Sequence, residues 1–143
     1  MITYTGTKTL KATPMTLGDY NKLRGWDMPL DEDPKRDGYL VEYPLLEGDK
    51  PNHSSYEGYI SWSPKQTFEQ SYKVSETFAD RLLIEVQAEA SNLNKLNQFM
   101  ASDTFPTLEV EDKDLMYSQQ RVMSRFVQIL GKRLKRVGVT FKH

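Results

Sequence analysis

The chain has 143 residues, no cysteine and a formal net charge of -1. That length holds one domain, or a small domain with an appendage, and the lack of Cys excludes disulfides, thiolate chemistry and Cys-based metal sites. Hydrophobic residues make up 38% of the chain and mean hydropathy is -0.65, so the core is thin and self-association would bury more surface.

Two expectations about location follow. No apolar run approaches the ~20 residues of a membrane span. The opening segment MITYTGTKTL lacks the apolar stretch of a signal peptide. A soluble, cytoplasmic protein is expected.

The first half is rich in Tyr, Pro, Gly and Trp, and its elements are short. Residues 7–13 alternate and read as a strand. Thr16 is placed to cap a short helix, Leu17–Arg24. Residues 27–37 hold two prolines and a run of acids and form a loop. GYLVEYP (38–44) and GYISWSP (58–64) resemble each other and read as paired strands joined by the polar loop 46–57. Ser63 followed by Pro64 predicts a helix over about 64–72, capped by the serine with proline in its first turn.

Near Val74 the character changes, giving a β-rich N-terminal domain over 1–74 and a helical hairpin domain over 75–143. Thr77 and Asp80 form a capping-box pair ahead of a helix over about 77–100. Phe78, Leu82, Val86, Leu93, Leu96 and Met100 share one apolar stripe. A loop over 101–110 contains Pro106. A second helix, about 111–137, carries Val122, Met123, Phe126, Ile129, Leu130, Leu134 and Val137 on its apolar face. Two striped helices and a short connection predict an antiparallel hairpin, and an α+β fold overall.

Several residues break the pattern. Glu85 and Glu89 sit on the first stripe and Arg133 on the second, so a Glu85–Arg133 pair is expected across the hairpin. It reads either as an ion pair fixing register or as part of a polar pocket within an assembly. Leu83 and Ile84 are apolar but lie off the stripe, and call for a second partner surface, either the N-terminal half or another subunit. Gly131 could end the second helix or admit a close backbone. Beyond Gly138, VTFK could form a short strand.

Charge is sorted along the chain. Residues 121–143 contain seven Lys or Arg and no acid, while Asp103 to Asp114 is acidic. Arg121, Arg125, Gln128, Lys132 and Lys135 recur at spacings of four, three, four and three, which makes one row on a helix face. Helix dipoles favour cations near a C-terminus, but a merely solvated face would interleave acids with bases. Arg121 and Arg125, one turn apart, could hold a diphosphate between two guanidinium forks. A long polyanion would be repelled by the net-acidic remainder, so DNA is not expected and a compact anion such as a nucleotide is favoured. Aromatics able to stack a base are Trp26, Tyr59, Trp62 and Phe78. His53 and His143 are the only histidines, and neither a metal site nor a Ser/His/Asp set can be assembled. A binder without catalysis, metal or cofactor is expected.

The runs FADRLLIEVQAEASNLNKLNQFMASDTF and LMYSQQRVMSRFVQILGKRL resemble the helical-hairpin domain of phage anti-defence sponge proteins. The skeleton of the likeness is Leu82, Glu85, Leu93, Lys95, Leu96, Phe99, Phe105, Gln119, Met123, Phe126, Ile129 and Leu130. KATPMTLGDYNKLRGW, GYLVEYP and GYISWSPKQTFEQSY are similar to phage and prophage sequences. One branch of the family counters CBASS and binds cyclic oligonucleotides. Another counters Thoeris, binds a cyclic ADP-ribose isomer and carries a β-rich N-terminal part, as this chain does. The resemblance implies a homo-hexamer in the host cytoplasm that sequesters a cyclic nucleotide signal without cleaving it, in pockets between subunits built from arginines and a stacking aromatic. By residue type and spacing, Arg121 and Arg125 are the candidate phosphate ligands, joined by Phe78, Asn92 and Arg133. The other reading is a phage oligomeric interaction protein whose basic helix face docks an acidic protein or RNA.

Overall fold

A computed structural model describes residues 1–142. The fold is α+β, with a small antiparallel sheet followed by long helices. The chain divides into two compact units, Met1–Tyr72 and a second beginning at Lys73.

In the first unit, strands β1 (Lys11–Pro14), β2 (Gly38–Tyr43) and β3 (Tyr59–Pro64) form an antiparallel sheet in the order β1-β2-β3. Helix α1 (Leu17–Arg24) lies between β1 and β2 in sequence, and helix α2 (Lys65–Ser71) follows β3. Thr16 caps α1 as expected, accepting from the Asp19 amide at 3.2 Å. Gly25 ends α1 at a φ of 69°, a left-handed conformation that glycine adopts without a Cβ clash.

The pleat gives the sheet two faces. Leu40, Ile60 and Trp62 share one, where Leu40 and Ile60 pack with Tyr20 of α1. Tyr39 and Val41 lie on the other, where the Tyr39 ring stacks on Phe68 of α2 at 4.3 Å. The Trp62 indole donates to the Met15 carbonyl at 2.8 Å, and a Cβ at Gly38 would collide with this ring.

Both free edges of the sheet are blunted. Asn52 pairs with the backbone of Ile60 on β3, accepting from its N–H at 2.7 Å and donating to its carbonyl at 2.8 Å. On β1, Pro14 has no N–H to offer, a common protection of edge strands.

The second unit is the hairpin. Helix α3 (Phe78–Met100) and helix α4 (Val110–Arg136) are joined by a segment with a 3-10 turn at Phe105–Thr107. Thr77 and Asp80 form the expected reciprocal capping box. The first N–H groups of a helix lack intrahelical acceptors, and Asp80 accepting from the Thr77 amide lowers its own pKa. The helices run antiparallel: Gln120 donates to Asn97 at 2.6 Å near the connection, and Arg133 reaches the Phe78 ring at the far end. Leu82, Val86, Val127, Leu130 and Leu134 form the core, and Phe105 bridges Phe99 and Tyr117 by edge-on ring contacts.

The structure corrects several details. Strand β1 covers Lys11–Pro14 rather than 7–13. Ser63 belongs to β3, and Pro64 caps α2 without a side-chain hydrogen bond, because register with Tyr39 keeps Ser63 extended. The apolar face of α4 is wider than one partner helix can cover, so α3 buries Val127, Leu130 and Leu134 and leaves Val122, Ile129 and Val137 exposed. Gly131 neither ends α4 nor admits another backbone, since nothing lies within 4 Å of where its Cβ would be. Residues 139–142 form no strand, but Val139 and Phe141 pack against the hairpin core, as Leu83 does. Leu83 thus finds part of its cover within its own unit.

Candidate functional site: the basic row of the hairpin

The row arises from the register of α4. Val127, Leu130 and Leu134 turn toward α3. At about 100° per residue, that rotation sends Arg121, Arg125, Gln128, Lys132 and Lys135 to the opposite side. All five are exposed. Among the described residues, no acid pairs with the four cations of the row. Arg121 donates to the Ser118 hydroxyl at 3.4 Å, which leaves most of its fork free. Arg121 and Arg125 lie about 6 Å apart along the axis, a spacing that a diphosphate can bridge.

The remaining candidates fall elsewhere. Arg133 lies over the Phe78 ring, 5.5 Å from its centroid, a cation–π contact on an aromatic that is itself half exposed. The expected Glu85–Arg133 ion pair does not form. Both side chains sit at the solvated rim of the core, where such a pair would gain little over hydration. From the Asn97–Gln120 bond, five steps along each helix bring Asn92 level with Arg125. Arg125 points away from α3, however, so the two do not touch. Phe78 and Arg133 lie about 12 Å further along the axis than Arg125. Within one chain four of the five candidates form two places, a phosphate-sized pair at Arg121 and Arg125 and a ring-and-guanidinium pair at Phe78 and Arg133, and Asn92 belongs to neither.

Of the other aromatics named from the sequence, Tyr59 on β3 is half exposed, while the two tryptophans are committed to packing or to a cation. Trp62 is half-buried against the sheet. Trp26 is exposed but carries Arg24 over its ring at 4.6 Å. The first unit holds a cavity of about 410 Å³ lined by Leu10, Lys11, Glu42, Tyr43 and Glu57 among others, which the sequence did not signal. Its Glu42 carboxylate already accepts from the amides of Glu57 and Gly58. Two carboxylates against one lysine make it a poor cradle for an anion. Among the described residues, no group of three or more His, Cys, Asp or Glu is placed to hold a metal ion, and no helix is long and apolar enough to cross a membrane.

The model of the family described as Sequestin matches residues 76–136. The match runs from two residues before α3 to the last residue of α4, so it covers the hairpin and the basic row and leaves out the sheet-bearing unit. It fits a protein that sequesters a partner. No curated protein and no solved structure matches the chain.

Proposed function

We propose that this is a phage or prophage anti-defence protein that sequesters a cyclic nucleotide immune signal without cleaving it. The ligand class is a cyclic ADP-ribose isomer, with cyclic oligonucleotides as further candidates. The observation that carries the reading is the row of exposed cations on α4 without acidic partners, lying within the segment that the Sequestin family matches. Four cations held on one side of a rigid helix raise the local potential toward phosphate. Arg121 and Arg125 grip the diphosphate, and Phe78 offers a ring face to the base. Asn92 and Arg133 add polar contacts. Phe78 and Arg133 lie too far along the hairpin to meet a phosphate held at Arg121, so a compact ligand that uses both places does so across two copies. A homo-hexamer, as the resemblance implies, supplies such copies.

Among the described residues no acid pairs with Arg121 or Arg125, and sequestration needs no base. The protein acts by mass action in the host cytoplasm: it binds tightly, is abundant and releases its ligand unaltered. The test is to mix purified protein with the cyclic product of a TIR-domain enzyme, remove the protein by filtration, and denature the retained fraction by heat. The reading expects depletion of the nucleotide from the filtrate and its recovery intact. A chemically altered nucleotide in the released fraction would make the protein an enzyme.

A further inference from the structure

One stripe of α4 is neither in the core nor in the basic row. Leu115, Val122 and Ile129 recur every seven residues and remain 68%, 69% and 40% exposed. Phe126, between them, is only partly covered. Glu111 lies four residues before Leu115, and Arg133 four residues after Ile129. At about 100° per residue, these five positions from Glu111 to Arg133 fall within about 40° of one another. The stripe lies about 110° around the helix from the centre of the Val127/Leu130/Leu134 face.

Apolar residues that recur every seven positions hold to one side of a helix, and a second helix lying alongside covers such a stripe. Charge selects which helix and which direction. The stripe is acidic at its start and basic at its end. A parallel copy would set Glu111 against Glu111 and Arg133 against Arg133. An antiparallel copy sets each Glu111 against the other chain's Arg133. The spacing agrees, because Val122 is the midpoint both of Glu111 and Arg133 and of Leu115 and Ile129. A two-fold axis at Val122 therefore pairs Val122 with itself, Leu115 with Ile129 and Glu111 with Arg133, all at once.

We propose that the Glu111–Arg133 stripe of α4 is an isologous interface on which a second copy of this chain packs its own α4 antiparallel. The interface does not rest on the sequestering reading, since it forms without ligand. It has two consequences for that reading: Arg133, a candidate ligand residue, is drawn toward Glu111 of the other copy, and the two arginine pairs share a face. The basic row is centred about 100° from the seam, and a two-fold axis perpendicular to both helices keeps it on one side, so both copies present Arg121 and Arg125 to the same face of the pair.

The test is sedimentation equilibrium of the full chain without nucleotide, with circular dichroism as a check on folding. The wild type should sediment as an even number of copies. Val122→Glu sets two carboxylates against each other on the axis and should halve the mass with helicity unchanged. Glu111→Arg alone and Arg133→Glu alone should each weaken the assembly, and the two together should restore it, because the swap exchanges both ends of both copies. The chain has no Cys, so Val122→Cys should give a disulfide-linked pair on mild oxidation. A monomer at every concentration, an odd-numbered assembly, or an assembly whose mass survives Val122→Glu overturns the proposal. Loss of nucleotide binding in Arg121→Ala/Arg125→Ala with unchanged mass bears on the ligand site alone, so the two readings fail separately.

Discussion

Replacing both Arg121 and Arg125 by alanine removes the guanidinium pair while leaving the core untouched, because both side chains are exposed and neither packs against Val127, Leu130 or Leu134. Charge-assisted hydrogen bonds contribute about 1.5–3 kcal/mol each. The site is open to solvent, so screening argues for the low end and a joint loss of about 3 kcal/mol. At about 1.4 kcal/mol per decade, that is roughly a hundredfold weaker Kd. Isothermal titration with the cyclic product of a TIR-domain enzyme measures it, and circular dichroism and sedimentation check fold and mass. Wild-type affinity should also fall as salt rises, and the double variant should show a shallower salt slope. An unchanged Kd, or a loss of assembly without a specific loss of affinity, would refute the idea that this pair holds phosphate.

The fold supplies further predictions. Leu134 is fully buried in a hairpin core of five residues, so Leu134→Ala should cost about 2–5 kcal/mol. Urea denaturation followed at 222 nm would show it as a lowered midpoint. Gly38→Ala places a methyl against the Trp62 ring and the Ser63 carbonyl, and strain of that kind costs about 1–3 kcal/mol; tryptophan fluorescence should report a perturbed Trp62 and a lower midpoint. Asp80 has its pKa lowered by hydrogen bonds from Thr77, with Arg81 contributing. A depressed folded pKa means a contribution to stability that is present above the unfolded carboxylate value and lost as pH falls through the folded one. Acid should therefore weaken the start of α3 in the wild type, and Asp80→Asn should flatten this part of the pH dependence in thermal unfolding.

What could be read in the sequence tracks how local the cause is. Thr16, the Thr77–Asp80 box and the Gly-Tyr strand openings act within a few residues, and α1, the start of α3 and the β2–β3 pairing lie where those signals point. Periodicity located α4 but could not choose which third of its broad apolar surface meets α3. That choice needs the partner's shape: Val127 enters the core, and Val122, Ile129 and Val137 stay exposed although they share the apolar face. The same ambiguity misplaced Arg133, since a residue at the edge of a wide stripe faces its neighbour or water according to the helix's rotation. The excess is itself informative. A surplus apolar third, bounded by an acid at one end and a base at the other, is what a helix carries when it has two partners. The hairpin supplies one partner, and the proposed seam would supply the other. Likewise, the five candidate ligand residues cannot converge within one chain, because α4 buries one side against α3 and turns its cations to the other. If they act together, the meeting point is made by assembly, and no reading of one chain's periodicity could have drawn it.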